Sequence, residues 1–298
     1  MKQEVNKRFK MDDRGELRWF LGVDIKRLPD GRYMMSQERY AENILCRLNM
    51  HECIPANTPA EKGLQLTEPS EDEQQKSMTR DFPYRSAIGS LIYLMAATRP
   101  DIAFTVSKLS QFLEKPGVAQ ISAVKHLLKY IQGTKSRSLT FKPTDGQLIG
   151  HVDADWANDP TDRRSTTGYI FTLGSAPISW KSRKQPTVAL SSCEADYMAL
   201  SEAKKEALYL RKLTGSLNLI QTTQTTIFCD NQGTLALTKS GAKQHQHTKH
   251  IDVRYHFVHK QSEVTFEHVP SCDNVADFLT KSLGTVQHKH LLRLSQLD

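Results

Sequence analysis

The chain lacks any apolar run long enough to cross a bilayer. Its longest, "AIGSLIYLMAA" over 87–97, falls well short of the roughly 20 residues a spanning helix needs. Cysteine is scarce too. Cys46, Cys53, Cys193, Cys229 and Cys272 are odd in number and scattered, with no C-x-x-C, which excludes a disulfide framework and points to reduced thiols. The opening stretch, "MKQEVNKRFKMDD", carries charges where a secretory signal needs its apolar segment. These absences point to an intracellular protein with no membrane partner. Nor is there a strong excess of one charge. A net charge of +7 and a pI near 9.1 allow a polyanionic partner without requiring one.

What is present suffices for two domains, since 298 residues can bury more than one core. "LRWFLGVDIKRLPDGRYMMS" reads as two strands around the Pro29-Asp30-Gly31 turn, and a helix with Tyr40, Ile44, Leu45 and Leu48 on one face follows. Residues 55–81, rich in Pro, Glu, Gln and Ser, read as a linker with an acidic loop over 61–81. Helical patterns follow over 82–97, 101–114 and 119–132, with a break at Arg99-Pro100-Asp101. After "KPTDG" at 142–146 the pattern changes to strands over 147–156, 165–173 and 176–181, then a long helix over 192–214. Strand 225–229, a short helix from 231, a His-rich helix over 248–261, strand 263–269 and a closing helix from 273 complete the chain. This order predicts an α/β unit with a five-stranded mixed sheet and flanking helices. Its first three strands form an antiparallel meander, and the last two join parallel to the first.

Acidic residues mark the candidate site. In "HVDADW", strand alternation puts His151, Asp153 and Asp155 on one face, with Val152, Ala154 and Trp156 on the other. Such an acid pair is explained by a solvated edge or by a cation. In "LSSCEADYMAL", Ser191-x-x-Glu194 fits a capping box, which gives Glu194 a complete structural job. Asp196 instead shares the stripe of Ala199, Ala203, Ala207 and Leu210 that packs on a sheet, where an acid is costly unless something cationic meets it. Asp230 stands where a strand meets a helix start, as an N-cap or as a functional group at a strand end. Asp277 sits a turn inside the last helix, with Asp273 as the better cap, and could simply pair with Lys281 four residues on. Four acids able to converge over one sheet edge suit hard divalent cations such as Mg²⁺. Two such ions roughly 4 Å apart serve phosphodiester hydrolysis.

The remaining signals are weaker. "HQHTKHIDVRYHFVH" invites a zinc reading, but His245, His247, His250, His256 and His259 have no partner cysteines at zinc spacing. Lys181, Arg183 and Lys184, which follow the strand "APISW", together with Arg163 and Arg164, could contact a nucleic-acid backbone without reading sequence. Trp156 and Trp180 read as sheet packing.

"WFLGVDI", "YRSAIGSLIYLMAATRPDIAFTVSKLSQF", "LKYIQGT", "VDADWANDPTDRRSTTGYIF", "SWKSRKQPTVALSSCEADYMALSEA", "CDNQGTLAL", "KHIDVRYHFV" and "VADFLTK" occur in order. In this the chain resembles the C-terminal part of the Pol polyprotein of copia-type LTR retrotransposons along nearly its whole length. The resemblance implies the end of a reverse transcriptase palm and the start of the thumb over 1–54, which carries the β-hairpin, and a helical thumb or connection region with the acidic loop over 55–142. A ribonuclease H-like domain is implied over 143–298. The family's metal-binding acids map onto Asp153, Asp196, Asp230 and Asp277, with two Mg²⁺ ions (Mn²⁺ as a substitute) and an RNA–DNA hybrid as substrate. His250, Arg254 and His256 become candidates for phosphate contact. Partners implied are a complete reverse transcriptase or a second copy, in the cytoplasm (in retrotransposon particles) or the nucleus.

Three departures bear on these expectations. The helix acid, usually Glu in relatives, is here Asp196, one methylene shorter, which would either draw a metal ligand back from its ion or leave Glu194 as an assisting acid. "VAQISAVKH" departs from the family's His-Trp before the third connection helix. The Tyr-x-Asp-Asp hairpin of polymerases is absent: "FKMDDRG" has Lys10 in place of Tyr, with Asp12 and Asp13 as turn residues. The expectation is therefore a ribonuclease H without polymerase activity, from a 5′-truncated copy or a fragment. Its rivals are a catalytically decayed nucleic-acid-binding or structural remnant and a DNA-cutting nuclease of the same fold.

Overall fold

In the computed structural model, which describes residues 12, 15–78, 81–142, 146–174, 176–217, 219, 223–239, 254, 257–259 and 263–297, two sheets and several helices share the chain. The first half opens with β1 (Trp19–Phe20), β2 (Val23–Arg27) and β3 (Tyr33–Ser36). It continues with α1 (Glu38–Arg47), α2 (Glu71–Met78), α3 (Tyr84–Ala97), α4 (Ala103–Ser110), α5 (Val118–Gly133) and β4 (Ser138–Phe141). Apolar stripes of four helices make one core, in which Ile44, Leu45, Ile88, Leu91, Val106 and Leu127 are all buried.

The expected β-hairpin is larger than the sequence suggested. Leu21 and Gly22 both take positive φ, 46° and 73°, which folds Trp19–Phe20 back on β2 as an extra short strand. β4 then pairs with β3, Leu139 opposite Met35, giving a four-stranded antiparallel sheet. "SLTF" is too short to announce itself by alternation. The acidic loop also needs correction, because 71–78 is helical. Ser70 and Glu73 form a capping box, with Ser70 N donating to Glu73 Oε2 at 3.0 Å, and three acids occupy the first turn.

The second half contains β5 (Leu148–Asp155), β6 (Thr166–Leu173), β7 (Ala176–Lys184), α6 (Ser192–Ser216), β8 (Thr225–Cys229), α7 (Gln232–Lys239), β9 (Val264–His268) and α8 (Thr285–Leu294). Its sheet has the order β7-β6-β5-β8-β9. β5 is central, antiparallel to β6 and parallel to β8, while β9 is parallel to β8. The α/β class and the five-stranded mixed sheet follow the sequence reading.

Each face of this sheet has its own cover. Val152, Ala154 and Phe171 pack against the small stripe Ala195, Ala199, Ala203 and Ala207 of α6. On the other face Ile170 meets Phe278, Leu279, Leu291 and Leu292, joined by Ala103 and Leu139 from the first half. One strand and one helix depart from expectation. β7 runs to Lys184, so "KSRK" lies within the strand rather than after it. The closing helix from 273 is instead two 3₁₀ turns, Ser271–Asp273 and Val275–Leu279, followed by α8. Asn274, not Asp273, caps the second turn by accepting from Ala276 N at 3.2 Å. Asp273 is engaged by His290 at 2.7 Å.

Trp180 packs as expected, and its indole N–H donates to Met95 O at 3.1 Å. Trp156 lies past the strand end and is 48% exposed, although its N–H reaches Ala189 O at 3.0 Å. Among the described residues no helix is long and apolar enough to cross a membrane.

Candidate metal centre

Parallel pairing of β5 and β8 brings their C-terminal ends to one edge of the sheet. Asp153 comes from β5, and Asp230 directly follows Cys229, the last residue of β8. Asp277 arrives from the Val275–Leu279 turn, and the local sequence explains how. Gly168 pairs with Asp153 across the strands, and a Cβ there would come within 2.7 Å of Thr280 Cγ2 and 2.8 Å of Leu279 Cβ. Glycine thus lets the turn settle on the sheet. Asn274 Nδ2 fastens it by donating to Val152 O at 3.0 Å, and the Thr280 hydroxyl donates to Asp153 Oδ2.

Asp153, Asp230 and Asp277 each offer a carboxylate oxygen within 4.8 Å of the others. The donor set is all oxygen, which fits a hard divalent cation. Lys281 Nζ lies 3.0 Å from Asp277 Oδ1 and 3.5 Å from Asp153 Oδ2. The helix pair foreseen for Lys281 therefore exists, but it is part of a larger cluster.

Asp196 is buried on the inward stripe of α6, while Glu194 caps the helix. Glu194 N donates to Ser191 Oγ at 3.1 Å, and its carboxylate accepts from Leu190 N at 2.8 Å, one residue before the N-cap. Glu194 is thus committed to the helix start. Asp196 Oδ2 accepts from Asn231 Nδ2 at 2.8 Å, and the charges of Asp153 and Asp230 are felt there. Asn231 also caps α7, accepting from Thr234 N at 3.0 Å. That answers the capping alternative for Asp230, since its neighbour takes the role. Asn231, Thr280, Gly168 and Asn274 are the supporting residues that sequence reasoning missed. Only the adjacency of two good capping residues, in Asp230-Asn231 and in Asp273-Asn274, hinted at two of them.

Burial and repulsion between neighbours push the carboxyls of Asp153, Asp155, Asp196 and Asp277 up. Asp196 is raised to about 7, by burial first and then by the negative charge of Asp153. Asp277 is likewise raised to about 7, by burial and by Asp153, against the pull of Lys281. Asp153 moves in the same direction through burial. Asp155, hydrogen-bonded by Asn158, is raised to about 6 by burial.

The sign of the pH dependence follows. A carboxyl raised on folding holds a proton that the unfolded chain releases. Its stabilisation is therefore complete below about pH 4, the unfolded range, and is lost as pH rises through about 7. Melting in EDTA is expected to shift down by several degrees between about pH 5 and pH 8. Asp196→Asn should flatten that slope, and an unchanged slope in the variant would contradict the assignment.

The basic candidates divide. Lys181, Arg183, Lys184 and Arg254 line one cleft of about 130 Å³ with Thr167, Gln185 and Glu202. Within it Lys184 is held by Asp159 and Asp162 at 2.8 and 2.9 Å, and Lys181 approaches Glu202 at 3.8 Å. Arg183 is exposed. Away from the cleft, Arg163 is exposed with φ 56°, and Arg164 faces Asp162 at 3.5 Å. His250 and His256 lie outside the described residues, as do Lys10, Asp13 and the histidines at 245 and 247 of the zinc reading.

The Pol polyprotein of transposon TNT 1-94 from Nicotiana tabacum, a retrovirus-related protein, is 40% identical over 288 residues, 94% of this chain and 22% of the relative. That of transposon RE1 from Arabidopsis thaliana is 38% identical over 292 residues, 94% of this chain and 19% of the relative. The chain belongs to the retrovirus-related Pol polyproteins. This is the copia-type membership that the ordered motifs implied. The chain spans about a fifth of the length of these two curated relatives. No family model matches it. Among solved structures, the N-terminal RNase H domain of a Mycobacterium tuberculosis protein aligns at 14% identity and a TM-score of 0.35. The alignment covers 51% of this chain and 97% of that one.

Proposed function

We propose that this chain is a ribonuclease H-type endonuclease that hydrolyses the RNA strand of RNA–DNA hybrids. The observation that carries the reading is the meeting of Asp153, Asp230 and Asp277 within 4.8 Å at the sheet edge. These three residues would hold divalent cations, two Mg²⁺ ions or Mn²⁺ in their place, with Asp196 beside them. The chemistry such ions supply is activation of a water nucleophile and neutralisation of charge on the leaving oxygen. Thr280 and Asn274 keep Asp153 and the Asp277 turn in register, and Asn231 orients Asp196. Arg183, Lys181 and Arg254 would meet backbone phosphates, which position a duplex without reading bases. Hybrid over duplex DNA would be chosen by groove shape and the 2′-OH. On this reading residues 143–298 are the nuclease domain, and 1–54 and 55–142 are the end of a reverse transcriptase and its connection region. No polymerase activity is expected from this chain alone.

One observation favours a second reading. Asp196 is absent from the three-acid group and spends one oxygen on Asn231. A helix acid too short to reach its cation would leave a hybrid-binding remnant. Asp196→Glu separates the two readings in a cleavage assay on a labelled RNA–DNA hybrid with Mg²⁺. Misplacement by about 1 Å costs up to roughly a hundredfold, so the longer side chain is expected to hold the rate or raise it by about tenfold. Hybrid binding with no cleavage by either protein, in Mg²⁺ or Mn²⁺, would leave the remnant reading.

A further inference from the structure

The ammonium of Lys281 stands where a cation belongs. It lies 3.0 Å from Asp277 Oδ1 and 3.5 Å from Asp153 Oδ2, inside a cluster whose three acids span 4.8 Å. A surface i,i+4 pair accounts for the first contact but not for the second, which crosses from the turn to the central strand. Asp153 and Asp277 are both buried, so their repulsion is poorly screened without an opposing charge. The negative charge of Asp155, at the end of β5, adds to the field on the same ammonium. The Lys281 side chain itself remains 35% exposed, so the head has a way out to solvent on a flexible four-carbon stem.

We propose that Lys281 is a tethered counter-ion of the carboxylate cluster, holding Asp153 and Asp277 together until a divalent cation displaces its ammonium toward solvent. This rests on the reading of those two acids as metal ligands. Two effects of opposite sign follow. The tethered charge stabilises the metal-free protein, and the same charge competes with the incoming ion and weakens its binding. An ordinary structural salt bridge would produce only the first effect.

The test is calorimetric titration of the full chain with Mn²⁺, paired with thermal melts in EDTA near pH 8. Lys281→Gln is expected to bind Mn²⁺ on the order of tenfold more tightly, because a full unit charge close to the ion is removed. It should also melt lower than the parent in EDTA. Lys281→Arg, which retains the charge, should stay near the parent in both measurements. Lys281→Met keeps the aliphatic stem and serves if the glutamine variant fails to fold. Mn²⁺ affinity in the Gln or Met variant equal to or weaker than the parent overturns the counter-ion role and leaves the metal site standing. No Mn²⁺ binding by parent or variants overturns both.

Discussion

Asp153→Asn is expected to abolish cleavage of the RNA strand, by roughly a thousandfold or more, while the protein still folds and binds hybrid. The side chain is 4% exposed and central to the cluster, being the acid to which Thr280 and Lys281 both turn. An amide can still accept from the Thr280 hydroxyl, so the turn should stay seated. What it cannot supply is the negative charge that holds a divalent ion, and loss of that stabilisation is worth about 4 kcal/mol of barrier. The melt in EDTA should hold or rise, because one of several crowded charges has gone. The measurement is cleavage with Mg²⁺ on a hybrid, with single-stranded RNA and duplex DNA as controls. Cleavage that survives the substitution would move the active site elsewhere.

That expectation draws on features that differ in how visible they are from sequence. The period-two alternation of "HVDADW" put Asp153 opposite Val152 and Ala154, and burial of the latter pair against α6 follows directly. The stripe Asp196, Ala199, Ala203, Ala207 and Leu210 is buried throughout, so a 3.6-residue period sufficed to separate Asp196 from Glu194. Local signals failed where two residues could do the same job. Asp230 and Asn231 are both good caps, as are Asp273 and Asn274, and only tertiary contacts choose. Asn231 caps because its amide is also needed by Asp196. Asn274 caps because its Nδ2 is drawn to Val152 O. Gly168 and Thr280 lie in unremarkable stretches, and their roles exist only once β6 and the turn are stacked. The helix at 71–78 was missed for another reason. It is polar all round and offers no hydrophobic period, although Ser70-x-x-Glu73 carried its start signal.

Arg99-Pro100-Asp101 read as a break between helices, and it is that, but the break also builds a buried ion cluster. Arg99 and Asp101 are each 1% exposed and meet in a bidentate pair, Nε to Oδ1 and Nη2 to Oδ2, both at 2.8 Å. Tyr130 donates to Asp101 Oδ2 at 2.7 Å and Arg137 reaches the same oxygen at 2.9 Å. Arg99 continues to Thr134 O and Oγ1, and the ring of His288 from α8 packs edge-on against Tyr130 at 5.6 Å. The two guanidinium groups hold the Asp101 carboxyl well below the usual carboxylate range despite its burial. Asp101→Asn should therefore be the most destabilising single change in the first half. It keeps the shape but strands two cations, Arg99 among them with no route to water, at a cost of about 3–5 kcal/mol. Against a total stability of about 5–15 kcal/mol, that should lower the melting temperature by roughly 10 °C. Tyr130→Phe removes a donor to the Asp101 carboxylate and an acceptor for Arg137 but strands no charge, and should cost less, about 2 kcal/mol. The double change Arg99→Met with Asp101→Leu should recover much of the loss, because it removes the fully buried pair together and leaves only Arg137, whose side chain is 16% exposed and can turn to water. Thermal melts of the three variants decide the point. Asp101→Asn melting within about a degree of the parent would mean that water reaches the cluster and that its charges are not dependent on one another.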